Sequence, residues 1–168
     1  MIRWLLVTCG GLGAMRPAPG TWGSLPPAGI AWLMLLLGAP GWWINGVLLT
    51  VLVLSCMICV ALGPWAEQRF GKKDPSHVVI DETAGQCIPL LFWPTLFLGT
   101  DLSQFDRFIR VSIAVGAAFV LFRIMDIIKP PPANRMQRLP AGWGILVDDL
   151  FAGLYAAVIM QIGLRLLV

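Results

Sequence analysis

Residues 43–62 form an uninterrupted stretch without a charged side chain. About 20 residues of α-helix span the hydrocarbon core of a bilayer, where the backbone must satisfy its own hydrogen bonds. Residues 83–100 and 150–164 are also uncharged. The chain of 168 residues is 58% hydrophobic and 12% charged, whereas soluble domains carry about 25% charged residues. These features predict an integral membrane protein.

The apolar segments predict an all-α fold, a polytopic membrane helical bundle, in one domain covering residues 1–168. We expect about four to five membrane-embedded helices and a short N-terminal apolar segment. A fourth apolar segment, residues 111–128, ends in a polar turn before Pro130. Residues 26–37 are short for a full crossing and suit a tilted or partly embedded helix. Whether residues 4–15 cross is left open by the sequence.

If successive helices cross the membrane in opposite directions, three segments lie on the same side: the segment before residue 26, residues 63–82 and residues 129–149. We call this side the basic face. Eight Lys or Arg side chains fall on the basic face and three on the opposite face, with Arg3 unassigned. Segments rich in Lys and Arg stay in the cytoplasm, so we expect the basic face to be cytoplasmic. The eight are Arg16, Arg69, Lys72, Lys73, Arg123, Lys129, Arg135 and Arg138.

Five carboxylates lie near helix ends on the basic face: Asp81, Glu82, Asp126, Asp148 and Asp149. Like charges repel strongly in a low-dielectric site, so these groups need a compensating cation to meet at neutral pH. Oxygen ligands and the single His of the chain favour Mg²⁺, or else Mn²⁺, over Zn²⁺. We predict that all five bind metal, that Asp81, Glu82, Asp126 and Asp149 are catalytic, and that the chemistry concerns phosphate.

Two further groups of residues are candidates for binding a substrate phosphate. Arg123, Asp126 and Lys129 form a stripe along one helix. Two interpretations are equally favoured by this spacing. In the first, Asp126 is a metal ligand flanked by two cations that bind phosphate; in the second, the three residues form an ion-pair ladder that neutralises Asp126. Residues 19–25 form a glycine-punctuated loop, in which Thr21 and Ser24 could hold an anion at a helix start. The alternative is an ordinary turn with Ser24 as the N-cap.

The remaining polar residues give weaker signals. His77 suits a proton shuttle or a head-group contact, but a surface-loop histidine is the favoured interpretation. Lys72 and Lys73 are expected at the anionic lipid surface without a catalytic role. The cysteines are interpreted as small packing groups, because Cys56 and Cys59 lie inside an uncharged run. The basic residues are scattered, which argues against binding of nucleic acid.

Four motifs occur together and in a fixed order along most of the chain, and through them the sequence resembles the phosphatidylglycerophosphatase A family of bacterial membranes. One motif alone would be weak, whereas four in order are specific. The motifs are Pro19-Gly20-Thr21 with Gly23-Ser24-Leu25; Asp74 with Val79-Ile80-Asp81-Glu82 and Gly85; Phe122-Arg123-Ile124-Met125-Asp126 with Lys129-Pro130 and Pro132; and Gly142-Trp143-Gly144-Ile145 with Asp148-Asp149 and Ala152-Gly153.

The resemblance implies Mg²⁺-dependent removal of the terminal phosphate of phosphatidylglycerophosphate. The products would be phosphatidylglycerol and inorganic phosphate, formed at the cytoplasmic face of the bacterial inner membrane. The lipid would be the partner, and no obligate protein partner is evident. We expect the acids to hold one or two ions, one of which presents water to the phosphorus, while Arg123 and Lys129 stabilise the phosphoryl oxygens. An aspartyl-phosphate on Asp81 is the rival mechanism.

Asp74 and His77 are added as weaker site candidates, although His77 departs from the family pattern. A divalent-cation or proton-coupled transporter is the alternative function. It is disfavoured because the acids cluster at one face and the sequence shows no internal repeat. Lipid phosphatases that use two histidines are excluded, because the chain has one.

Overall fold

The computed structural model describes residues 1–93, 103–137, 139–140 and 142–166, and the regular structure in these ranges is helical. The all-α prediction is therefore confirmed. Arg138 and much of the predicted span 83–100 lie outside the described residues. The helices are α1 (Ile2–Val7), α2 (Pro19–Leu36), α3 (Gly41–Phe70), α4 (Ile80–Cys87), α5 (Gln104–Ile128), α6 (Ala133–Met136) and α7 (Gly142–Leu166), with short 3-10 turns at Leu12–Ala14 and Ile88–Leu90.

Three of the described helices, α3, α5 and α7, are long and apolar enough to cross a membrane. At 1.5 Å per residue, 25 to 30 residues extend for about 37 to 45 Å, more than the hydrocarbon core requires. The 18-residue α2 and the 8-residue α4 are shorter and pack among them. The prediction of a membrane protein is confirmed. The expected number of four to five embedded helices is approximate, since three of the described helices are long enough to cross.

The chain threads back and forth as predicted. The turn after α2 lies against the start of α5: the Arg107 guanidinium fills the space beside Gly38. Nearby, the Trp32 indole N–H donates to the Ser112 hydroxyl at 3.0 Å. Small residues such as Ala31 and Ala118 are buried between these helices and let their backbones approach closely.

Helix α2 begins seven residues earlier than predicted. The sequence suggested a loop over residues 19–25, but Pro19 occupies the first turn of the helix, where its fixed φ and missing N–H are tolerated. The N-cap position is taken by Ala18, so Ser24 is not the cap. The buried Ser24 hydroxyl instead donates to the Gly20 carbonyl at 2.8 Å, one turn back.

The predicted continuous helix over residues 83–100 is wrong in its first half, because α4 ends at Cys87 and a 3-10 turn follows. The backbone groups released by this break find side-chain partners from other helices. The Phe92 N–H donates to the Asn45 side chain at 2.9 Å, and the Gln161 amide donates to the Leu91 carbonyl at 2.9 Å. Irregular backbone at membrane depth is tolerated where protein supplies such partners. The chain thus runs from the basic face deep into the bundle as a short, buried segment.

Candidate metal and phosphate site

The first turn of α4 is held from two sides. The backbone N–H of Val79, just before the helix, donates to the Val7 carbonyl at 2.9 Å. The Thr83 hydroxyl donates to the Gly23 carbonyl of α2 at 2.7 Å. These bonds fix Asp81 and Glu82 in the first helical turn, where the helix dipole favours carboxylates.

Glycines bring α4 and α7 close enough for their acids to meet. A Cβ on Gly85 would lie 2.7 Å from the Asp149 carbonyl oxygen and 2.6 Å from the Phe122 ring. A Cβ on Gly153 would in turn collide with the Gly85 carbonyl. Gly142 packs in the same way against the backbone at Cys59 in α3. The glycines of the sequence motifs therefore permit the helix contacts that assemble the site.

Asp81, Glu82 and Asp149 converge, and we call them the acidic trio. Each offers a carboxylate oxygen within 4.8 Å of the others, although two come from α4 and one from α7. Three of their oxygens, Asp81 Oδ1, Glu82 Oε2 and Asp149 Oδ2, are buried without a hydrogen-bond partner. Buried carboxylates without partners are costly unless a cation compensates them. The trio could therefore bind a metal ion, and its all-oxygen donor set fits a hard cation.

Electrostatics in α4 support the same conclusion. Burial, and after it the Glu82 carboxylate, raises the pKa of Asp81 well above its ordinary range. Burial, and after it the Asp149 carboxylate, raises the pKa of Glu82 in the same direction. Desolvation and like-charge repulsion both disfavour the ionised forms. A bound cation would remove this penalty.

The other two predicted metal ligands, Asp126 and Asp148, are held by cations. Arg123 Nη1 lies 2.9 Å from Asp126 Oδ2, and Lys129 Nζ lies 3.8 Å from Asp126 Oδ1 and 2.5 Å from Asp148 Oδ2. The Gln137 amide also donates to Asp148 Oδ2 at 2.9 Å. The ion pairs of the ladder interpretation are thus present. Asp148 Oδ1 remains buried without a partner, so this carboxylate keeps a free ligand atom.

All five acids line one cavity of about 340 Å³. We call it the acidic cavity. It contains residues from the loop after α3 and from the starts or ends of α4, α5 and α7, so the predicted meeting of separate stretches on one face is present in the structure. The lining residues are Lys72, Asp74, Ser76, Val78, Asp81, Glu82, Asp126, Ile127, Lys129, Asp148 and Asp149.

The weaker candidates differ in their placement. Asp74 lines the acidic cavity, whereas His77 is exposed and stacks on Phe70 with ring centroids 5.1 Å apart. Thr21 is half-buried in the first turn of α2, and Ser24 lies one turn deeper. This helix start does reach the site, because a Cβ on Gly20 would collide with the Glu82 carboxylate and lie 2.9 Å from Arg123 Nη1.

Sequence reasoning missed three polar residues beside the site. Lys72 lines the acidic cavity and Gln137 bonds to Asp148. Gln86 is fully buried, and both polar atoms of its amide lack a hydrogen-bond partner. The spacing of four residues from Glu82 could have revealed Gln86, since it puts both on one face of α4. Nothing in the sequence distinguishes Lys72 from Lys73.

The family model for phosphatidylglycerophosphatase A matches residues 5–164. The chain belongs to the phosphatidylglycerophosphatase A family. Members of this family named phosphatidylglycerophosphatase A in Haemophilus influenzae and Escherichia coli are each 33% identical to it, over 161 and 159 residues. These matches cover 93% and 94% of the chain and 85% and 81% of the relatives.

A third relative carries a different substrate in its name. A Bacteroides thetaiotaomicron protein, provisionally named a phosphatidylinositol-3-phosphatase, is 35% identical over 161 residues, which cover 94% of the chain and 91% of the relative. No solved structure matches the chain significantly. The family membership confirms the resemblance drawn from the four motifs and does not favour the transporter alternative.

Proposed function

We propose that this protein is a lipid phosphatase that hydrolyses the terminal phosphomonoester of phosphatidylglycerophosphate. It would release phosphatidylglycerol and inorganic phosphate, a step of phosphatidylglycerol biosynthesis, and act as one domain. The observation that carries the proposal is the acidic trio, a set of buried, unpartnered carboxylate oxygens beside Arg123 and Lys129. Family membership and the names of two relatives favour this lipid. The lipid itself is the partner.

We propose Mg²⁺ as the ion, with Mn²⁺ as a substitute. The acidic trio would hold it, with Asp126 and Asp148 at the same cavity as further ligands. When bound, such an ion neutralises phosphoryl oxygens and lowers the pKa of water. Whether one or two ions bind is a matter for a stoichiometry measurement.

The side chains supply positioning and charge. Arg123 and Lys129 lie beside the acids and would stabilise the negative charge on the transferred phosphoryl group. A carboxylate of the trio would accept the proton of the attacking water, and Glu82 is the first candidate. Thr21 follows Gly20, which lies against the Arg123 guanidinium, in the first turn of α2, and would add a further contact with phosphate. An aspartyl-phosphate on Asp81 is the rival. A phosphoenzyme trapped by acid quench during a single turnover would support it, whereas ¹⁸O from water in that turnover's phosphate with no trapped phosphoenzyme would count against it.

We expect purified protein in detergent to release phosphate from phosphatidylglycerophosphate with Mg²⁺, to lose activity in EDTA, and to regain it when Mg²⁺ is restored. The physical reason is that the acidic trio cannot carry three charges in a buried site without a cation. The measurement is inorganic phosphate release, with phosphatidylinositol 3-phosphate as the competing substrate. Full activity after complete removal of divalent ions would contradict the metal assignment. Movement of Mg²⁺ into vesicles without phosphate release would favour the transporter.

We further propose that the basic face lies in the cytoplasm at the bacterial inner membrane. The loop after α3 with Lys72 and Lys73, and the ends of α5 and α7 that carry the acids, all lie on this face. A Lys73→Cys variant, in a background without native cysteines that keeps activity, should react with a membrane-impermeant maleimide in inside-out vesicles. It should resist the reagent in right-side-out cells. The reverse labelling pattern would overturn the orientation.

A further inference from the structure

The loop between α3 and α4 is held in a defined position. It leaves α3 through Gly71, whose φ of 64° lies in the left-handed region that favours glycine, and turns again at Asp74, a residue type that tolerates this region, with a φ of 52°. Its end is anchored by the stacking of His77 on Phe70 and by the bond from Val79 to the α1 end. The loop therefore places Lys72 in the lining of the acidic cavity.

Lys72 lies where two cavities meet. The first is the acidic cavity. The second, of about 300 Å³, adjoins it and shares Lys72 and Asp74. Its remaining lining consists of Lys73, Gln137, Gly144 and Ile145, and none of the acidic trio takes part. A ligand that fills the acidic cavity and extends into its neighbour must pass Lys72.

Of the two lysines that line the acidic cavity in the described part of the chain, Lys72 is the one without an ion pair. Arg123 and Lys129 are already paired with Asp126 and Asp148. Within the described part of the chain, no carboxylate oxygen lies within 4.0 Å of the Lys72 ammonium. An exposed, unpaired ammonium on a fixed loop can bind phosphate without breaking an ion pair.

The proposed substrate carries two phosphates, a terminal monoester and the phosphodiester that links glycerol to the lipid. The monoester must reach the acidic trio, and a three-carbon glycerol bridge keeps the phosphodiester close by. We propose that Lys72 binds this second phosphate and thereby makes the enzyme prefer lipids with two phosphates over phosphatidic acid, which has one. The inference rests on the proposed function and gives Lys72 a role in addition to the expected contact with the lipid surface.

The test compares Lys72→Gln with Arg69→Gln in neutral detergent micelles, with short-chain phosphatidylglycerophosphate and phosphatidic acid as substrates. Arg69 is a matched control, because it is exposed on the basic face and lines neither cavity. We expect Lys72→Gln to raise KM for phosphatidylglycerophosphate by about 10- to 100-fold, the effect of one charge-assisted hydrogen bond. Its kcat should change less than about twofold, since the bond is made in the ground state as well.

With phosphatidic acid, Lys72→Gln should behave like wild type in kcat/KM, or in inhibition constant where turnover is slow. Lys72→Arg should restore most of the affinity, and Arg69→Gln should resemble wild type with both lipids. Equal losses with both lipids would place Lys72 at the monoester and overturn the inference. So would identical kinetics of Lys72→Gln and Arg69→Gln. Wild-type protein that releases no phosphate from phosphatidylglycerophosphate would instead overturn the proposed function.

Discussion

Asp149→Asn is expected to lower phosphate release by well over a hundredfold while the protein remains folded. Replacing a residue that contacts a metal ligand typically lowers metal affinity or activity by about 10- to 100-fold, so replacing a ligand itself should lower activity further. The same substitution removes one charge from a cluster of unpartnered buried carboxylates. Without added metal, the variant should therefore unfold at the same temperature as wild type or a higher one. With Mg²⁺, it should lack the stabilisation that ligand binding gives the wild type.

The measurements for this prediction are initial rates and thermal unfolding with and without Mg²⁺. Asp81→Asn and Glu82→Gln should behave in the same way. Asp106→Asn is the matched control, since Asp106 is exposed at the start of α5, at the opposite end of the bundle. Near-normal turnover in the three site variants would show that the acidic trio is not the active centre.

Gly85→Val is expected to be strongly destabilising, because α4 and α7 meet at this glycine. The first carbon of the new side chain would lie 2.6 Å from the Phe122 ring and 2.7 Å from the Asp149 carbonyl. A backbone carbonyl cannot move aside as a flexible side chain can, so α4 must separate from α7. Overpacking in buried sites commonly costs about 1 to 3 kcal/mol, and here it also moves the acids apart. Both thermal stability and activity should fall, as measured by unfolding in detergent and by phosphate release.

Two glycines serve as controls for that variant. Gly116 in α5 and Gly163 in α7 have open space where a Cβ would stand. Gly116→Val and Gly163→Val should therefore keep near-normal activity and stability. If Gly85→Val matched these controls in both measurements, the close approach of α4 and α7 would be wrong.

The sequence predicted the threading and the site face because both depend on features that are local and periodic. Uncharged runs identify α3 and α7, and alternate crossings then bring Asp81, Asp126 and Asp149 to one end. The bounds of α2 were missed because Pro26 and Pro27 suggest a helix start, although the helix continues through both. Its true beginning depends on packing against α4, through the bond from Thr83 to Gly23.

The end of α4 and the placement of Lys72 depend on partners distant in sequence. Gln161 and Asn45 supply hydrogen bonds to the irregular backbone near Phe92, and neither can be identified from the apolar run itself. Lys72 and Lys73 are adjacent and chemically identical, so only the fold places one of them at the acidic cavity. The pairing of Asp148 with Lys129 likewise joins α7 to the end of α5.

Carboxylates from α4 and α7 are proposed to bind a shared cation at the place where the phosphate is hydrolysed. X-ray anomalous scattering from crystals grown with Mn²⁺, using protein whose activity Mn²⁺ supports, tests this proposal most directly. The account predicts a manganese peak within bonding distance of Asp81, Glu82 and Asp149, and its loss in Asp149→Asn. A peak at another part of the protein, with these three carboxylates unligated in the active enzyme, would contradict it.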